Sequence, residues 1–143
     1  MSILNAENIL LNQNYENKID AIKATGQILV EKGYVEAAYI EAMLQREELS
    51  STFMGNFVAI PHGTEDAKTS VINSGLSVIQ VPAGVDFGNG NIVKLLIGIA
   101  GKGDEHLEIL SKIAIVLSEE ENVEKLVQAQ TKEEIIQLLS EVN

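Results

Sequence analysis

Two histidines and one arginine are the side chains whose types and spacing suit group transfer. His62 lies in the stretch Gly55-Asn56-Phe57-Val58-Ala59-Ile60-Pro61-His62-Gly63-Thr64. Phe57 to Ile60 reads as a short buried strand. Pro61 removes a backbone donor and holds Ile60 extended, so the strand ends there and His62 stands on the turn that follows. Gly63 lets the backbone beside the imidazole take unusual angles or lets a ligand come close. Neutral imidazole is a good nucleophile near neutral pH, since its unperturbed pKa is about 6.5. The plain alternative is a turn histidine that only bonds nearby backbone.

His106 falls in the first turn of an expected helix after the strand Val93–Ala100. If the strand ends at Ile60 and Ala100 are neighbours, both histidines converge at one edge of the sheet, where crevices of α/β folds lie. A helix start there offers N–H groups and positive potential to an anion. Arg46 is the third candidate. Its plain reading is a surface cation between Gln45 and the acids Glu47 and Glu48; its functional reading is a fork that holds phosphoryl oxygens. Together the three suit phosphoryl transfer, which needs positioning and charge stabilisation. A metal site built from His62, Glu65, Asp66 and His106 is the chemical rival, but no H-E-x-x-H spacing supports it. Gly101-Lys102-Gly103-Asp104 is not a Walker loop, so nucleotide binding has no support.

The elements that must position these residues follow from periodicity. Residues 1–14 are ambiguous, with Ile9-Leu10-Leu11 a short strand or a helix end. A helix starts at the cap Asn17 and stops near Gly33; a second spans Glu36 to Glu48, with Tyr39, Ile40, Met43 and Leu44 on its apolar face. Ser50-Ser51-Thr52 breaks it, and 65–70 reads as a loop. Ser74 to Val81 alternates as a strand with one wet face, Pro82-Ala83-Gly84 turns, and Gly88–Asn91 makes a further loop before the interior strand Val93–Ala100. Asp104 caps a helix with Leu107, Leu110, Ile113, Ala114 and Leu117 as its core face. Capping boxes at Ser118–Glu121 and Thr131–Glu134 open helices over about 119–129 and 132–141. The expected class is α/β (α+β): one domain over 1–143, a mixed β-sheet flanked by helices on both faces.

The whole-chain numbers narrow the function. The 143 residues carry 10 basic against 21 acidic side chains, a net charge of −11, which argues against nucleic acid and anionic membranes as partners. There is no cysteine, which removes disulfides and thiolate chemistry from this chain. No basic start with a long apolar run, and no stretch of roughly 20 apolar residues, is present. A cytoplasmic location is the expectation.

The chain resembles the enzyme IIA components of the bacterial sugar phosphotransferase system, in the mannitol/fructose class and nearest its mannitol branch. The resemblance rests on Lys32-Gly33-Tyr34-Val35, Ala42-Met43-Leu44-Gln45-Arg46-Glu47, Met54-Gly55 through Thr64, Pro82-Ala83-Gly84-Val85 with Phe87-Gly88, and Leu96–Ala100 through Glu105-His106. It runs over nearly the whole chain. It implies that His62 is phosphorylated, at the tele nitrogen, by phosphohistidine on the carrier HPr. It implies onward transfer to a cysteine on IIB and then to the sugar passing through the membrane component IIC, with which the protein associates through IIB. Arg46 and His106 look like the groups that hold the phosphoryl. The cysteine-free chain places the acceptor on another protein, and no cofactor or metal is implied. Fructose-type and nitrogen-regulatory relatives share the Pro-His-Gly element, so both remain alternatives. A non-enzymatic acidic binding module is the alternative from another class.

Overall fold

The long apolar run before Gly101 forms the middle of the sheet. The computed structural model describes residues 3–143; the domain expectation for 1–143 includes Met1 and Ser2, which lie outside the described residues. Five strands are β1 (Ile9–Leu10), β2 (Phe53–Gly55), β3 (Val58–Ala59), β4 (Gly75–Asp86) and β5 (Ile92–Ala100). Five helices are α1 (Lys18–Glu31), α2 (Ala38–Leu49), α3 (Glu105–Leu117), α4 (Glu120–Gln128) and α5 (Lys132–Leu138). The sheet order is β1-β4-β5-β3-β2. β1 runs parallel to β4 and β3 parallel to β5, while the β4–β5 and β2–β3 pairs are antiparallel. This is a single domain with a mixed sheet.

Alternate residues of the central strands face two separate apolar layers. Val58, Leu95, Ile97 and Ile99 pack with Ile113, Leu126 and Ile135 beneath α3, α4 and α5. Ala59, Leu96 and Ala100 pack with Ile22, Leu29 and Met43 beneath α1 and α2. Burial on both faces is what makes β5 read as continuous apolar sequence. Thus helices cover both faces, as expected.

Several local expectations are corrected. β3 is shorter than Phe57–Ile60: Asn56 and Phe57 have φ of 50° and 67° and form a two-residue turn into β3 from β2, a strand that the sequence did not announce. β4 has no wet face. Ser77 and Gln80 are fully buried; Ser77 Oγ donates to the Thr25 carbonyl, and Gln80 Nε2 donates to Leu126 and Ala129 carbonyls at the end of α4. Polar groups there satisfy backbone acceptors inside the core. Pro82-Ala83-Gly84 does not turn the chain; β4 continues through a register shift between Gln80 and Val85, where a bulge tolerates proline's missing donor. Residues 65–70 form a 3-10 turn in place of a loop.

The helices hold two further corrections. Asp104 is helical and makes no side-chain cap, and Ser118 closes α3 by donating to the Ile115 carbonyl and does not open α4. The core face of α3 is Ile109, Ile113, Val116 and Leu117, with Leu107 71% exposed. A helix apolar on most sides leaves its rotation to the tertiary packing. Two caps do stand as expected: Asn17 accepts from the Asp20 N–H, and Thr131 from the Glu134 N–H. Leu10 closes β1, so the ambiguous N-terminal segment is a strand preceded by a 3-10 turn.

Candidate functional site

The parallel register of β3 and β5 decides the site. Val58 stands opposite Leu95 and Ala59 opposite Leu96, and beyond the strand proper His62 forms a bridge with Ile99, whose N–H donates to the Pro61 carbonyl. The two strands therefore end together. His62 is carried to the end of β5, and His106 comes from the first turn of α3 just after it. The imidazole centroids lie 5.4 Å apart, tilted by 55°. The turn between β5 and α3 needs Gly101, because a Cβ there would fall 2.4 Å from the His106 Cα.

His62 is held firmly. It is 9% exposed, and its Nδ1 lies 2.8 Å from the Ile60 carbonyl. A carbonyl only accepts, so Nδ1 carries the proton and Nε2 keeps the lone pair. The following residue is clamped as well: the Gly63 N–H donates to the Tyr39 hydroxyl at 2.9 Å, and that hydroxyl donates to the Ile99 carbonyl at 2.8 Å. A Cβ on Gly63 would meet the Tyr39 ring at 2.6 Å, so the tyrosine can sit this close only against glycine.

Arg46, His62 and His106 line one open cleft of about 680 Å³, together with Leu49, Glu65 and Asp66. The three expected residues are thus brought together. Arg46 Nη1 donates to the Ser50 carbonyl (2.8 Å) and hydroxyl (3.1 Å), which braces the guanidinium at the C-terminal end of α2. Burial, above all, lowers the His62 pKa; His106 and Arg46 add to this, while the Ile60 bond and Glu47 oppose it. Burial also lowers that of His106, against Glu65. Both imidazoles are therefore neutral at pH 7. Two N–H groups expected to be free at the start of α3 are used: Glu105 donates to the Lys102 carbonyl and His106 to that of Gly103.

Glu65 and Asp66 reach the cleft, but the Glu65 carboxylate pairs with Lys68 at 2.6 Å. Among the described residues no three of His, Cys, Asp and Glu are grouped closely enough to hold a metal ion. Glu47 corrects the reading of it as a surface neighbour of Arg46: it is only 6% exposed. The available signal was its spacing, since Tyr39, Met43 and Glu47 recur every four residues on one helix face. Met54 belongs to the hairpin at the other end of β3, and the exposed leucine lining the cleft is Leu49.

The family described as "Phosphoenolpyruvate-dependent sugar phosphotransferase system, EIIA 2" matches residues 2–142. The chain belongs to this family. This EIIA domain is 66% identical, over all its 143 residues and 99% of the relative, to the "Mannitol-specific phosphotransferase enzyme IIA component" of Geobacillus stearothermophilus. Its fold matches the crystal structure of IIA mannitol from Escherichia coli with a TM-score of 0.88 and 40% identity, covering 95% of this chain and 98% of that one. It also matches IIA in the complex of enzyme IIAMTL and phosphorylated enzyme IIBMTL from E. coli (TM-score 0.89, 37% identity, 96% and 97% covered). The EIIA domain is accordingly a phosphotransferase component. Among its described residues no helix is long and apolar enough to cross a membrane.

Proposed function

We propose that residues 1–143 form one cytoplasmic phosphoryl carrier of a mannitol phosphotransferase system, with His62 as the residue that holds the group. The observation that carries this reading is the bond from His62 Nδ1–H to the Ile60 carbonyl, which leaves the Nε2 lone pair as the nucleophile. Nε2 attacks the phosphorus of phosphohistidine on HPr in line. The new N–P bond forms as the donor's N–P bond breaks, its electron pair returning to the donor imidazole; no proton has to move. Arg46 and His106, on two sides of the same cleft, stabilise the phosphoryl oxygens as charge crosses. The second transfer runs the same way to a cysteine thiolate of IIB, outside these cysteine-free residues, and leads to mannitol entering through IIC. The relatives' names and the E. coli IIA–IIB complex support the sugar and the acceptor.

The deciding test is intact mass after incubation with phosphoenolpyruvate, enzyme I and HPr. The expected result is one added phosphoryl group, lost in acid and absent from His62→Ala. An unchanged mass with working controls, or normal labelling of His62→Ala, overturns the reading. Delivery of the label to a mannitol IIB, and not to a fructose IIB, tests the sugar.

A further inference from the structure

Glu47 is a buried acid that the transfer steps above do not use. Its Oε1 accepts the Thr52 N–H at 2.9 Å and the Thr52 hydroxyl at 2.6 Å. Its Oε2 is buried with no hydrogen-bond partner; the nearest cation is Lys18 of α1, at 3.5 Å. A buried carboxylate oxygen that has no hydrogen bond, and only an ion pair to a lysine 36% exposed, is costly and calls for a reason. The bonds beyond Thr52 supply one. The Thr52 carbonyl accepts the Ile60 N–H at 3.1 Å, and the Ile60 carbonyl holds His62 Nδ1 at 2.8 Å. An unbroken run of contacts thus leads from the carboxylate on α2 to the imidazole.

We propose that Glu47 is a positioning residue for His62: acting through Thr52 and Ile60, its carboxylate fixes the carbonyl that orients the imidazole and selects its Nδ1–H form. The inference rests on the carrier reading for its purpose, though not for its geometry. Its charge has a second effect. When Nε2 bonds to phosphorus with Nδ1–H retained, the ring becomes a cation. A carboxylate linked to the ring through Thr52 and Ile60 favours that cation by its charge, which keeps the imidazole a ready leaving group for the onward step. The charged and titratable groups that act on the ring are Arg46 and Glu47 from α2 and His106 from α3, with Glu65 acting on His106 from the 3-10 turn. Of those that act on His62, Glu47 is the negative one, and it alone raises the ring's proton affinity by charge.

The test reads the His62 ring nitrogens by NMR in the full, unphosphorylated chain, for the wild type, Glu47→Gln and Glu47→Ala. Glutamine keeps an oxygen for Thr52 and removes the charge; alanine removes both. In Glu47→Gln the Nδ1–H form persists and the ring titrates at lower pH than in the wild type. In Glu47→Ala the single tautomer gives way to a mixture, and phosphoryl uptake slows about tenfold, the effect of losing one good contact. A wild-type tautomer in folded Glu47→Ala overturns the positioning role, and a wild-type titration in Glu47→Gln overturns the charge effect. Should Glu47→Ala fail to fold, Glu47→Met, which fills the volume but offers no oxygen to Thr52, carries the tautomer test. No phosphoryl donor is needed for the ring signals, so failure of this inference and failure of the carrier reading are separate results.

Discussion

The two ends of the β3–β5 pair make an instructive contrast. At the C-terminal ends, the strands stop together and bring His62, His106 and Arg46 to one cleft. At the opposite end, the turn Asn56-Phe57 stands over Lys94, whose ammonium lies 4.8 Å from the Phe57 ring centroid. A groove of about 310 Å³ runs there between the turn and α4, lined by Phe57, Lys94, Val123 and Val127. It has apolar walls with one lysine and two glutamates, Glu120 and Glu124, but neither histidine nor arginine. The strained backbone is at this far end, where Phe57 is a bulky residue at φ 67°, while Pro61, His62 and Gly63 have no positive φ. Concavity and local strain therefore do not distinguish a site from a groove. Convergence of groups with complementary chemistry does, and parallel strand ends produce it because the elements that follow leave from one edge.

That contrast can be broken or sharpened by experiment. The largest expected effect after loss of His62 is that of Arg46→Lys, which keeps the charge but not the planar fork; phosphoryl uptake by rapid mixing should slow about 10- to 100-fold, the worth of a charge-assisted bond. Unaltered uptake would remove the arginine from the chemistry. His106→Ala should slow uptake about tenfold while leaving the thermal unfolding midpoint near that of the wild type, because the ring is only half-buried. A lowered midpoint with normal uptake would make His106 a structural residue.

The pH dependence should be smaller still near neutrality. Because burial lowers the His62 pKa from 6.5, the nucleophile stays neutral below that value, and uptake should hold as pH falls through 6.5 before it declines. The stability sign follows from the same shift. Below 6.5 the unfolded chain binds more protons at His62 and His106 than the folded one, so chemical denaturation midpoints should drop in acid. A rate that falls by half above pH 6.5 contradicts the assigned state of His62. The smallest effect is expected at the far end: Phe57→Gly relieves the positive φ and should leave uptake unchanged and stability within about 0.5 kcal/mol. A large loss of transfer there would show that the two ends are coupled.

Much of the site was readable before the fold because its signals are local. Pro61 stops a strand, Gly63 permits a close approach, and His106 follows a glycine-rich strand exit. Some of the readings that failed depended on neighbours distant in the chain. Ser77 and Gln80 suggested a wet strand face, yet their partners, Thr25, Leu126 and Ala129, lie 46 to 52 residues away. The hairpin turn at Asn56-Phe57 was missed because its second residue is aromatic where glycine is usual. The core face of α3 was displaced because apolar residues surround most of that helix.

Sequence alone determined the residue types able to carry a phosphoryl group, the strand-ending turn that presents His62, the two helix caps at Asn17 and Thr131, and the family resemblance. Those depend on side-chain chemistry and on interactions within a few residues. Only the tertiary structure decided that β3 lies parallel to β5, which ring nitrogen of His62 is committed to Ile60, and that Tyr39 and Glu47 are buried supports behind the site. Each of these is settled by strand register and by helix packing on the sheet. Such contacts join segments far apart in the chain, and no local pattern specifies them.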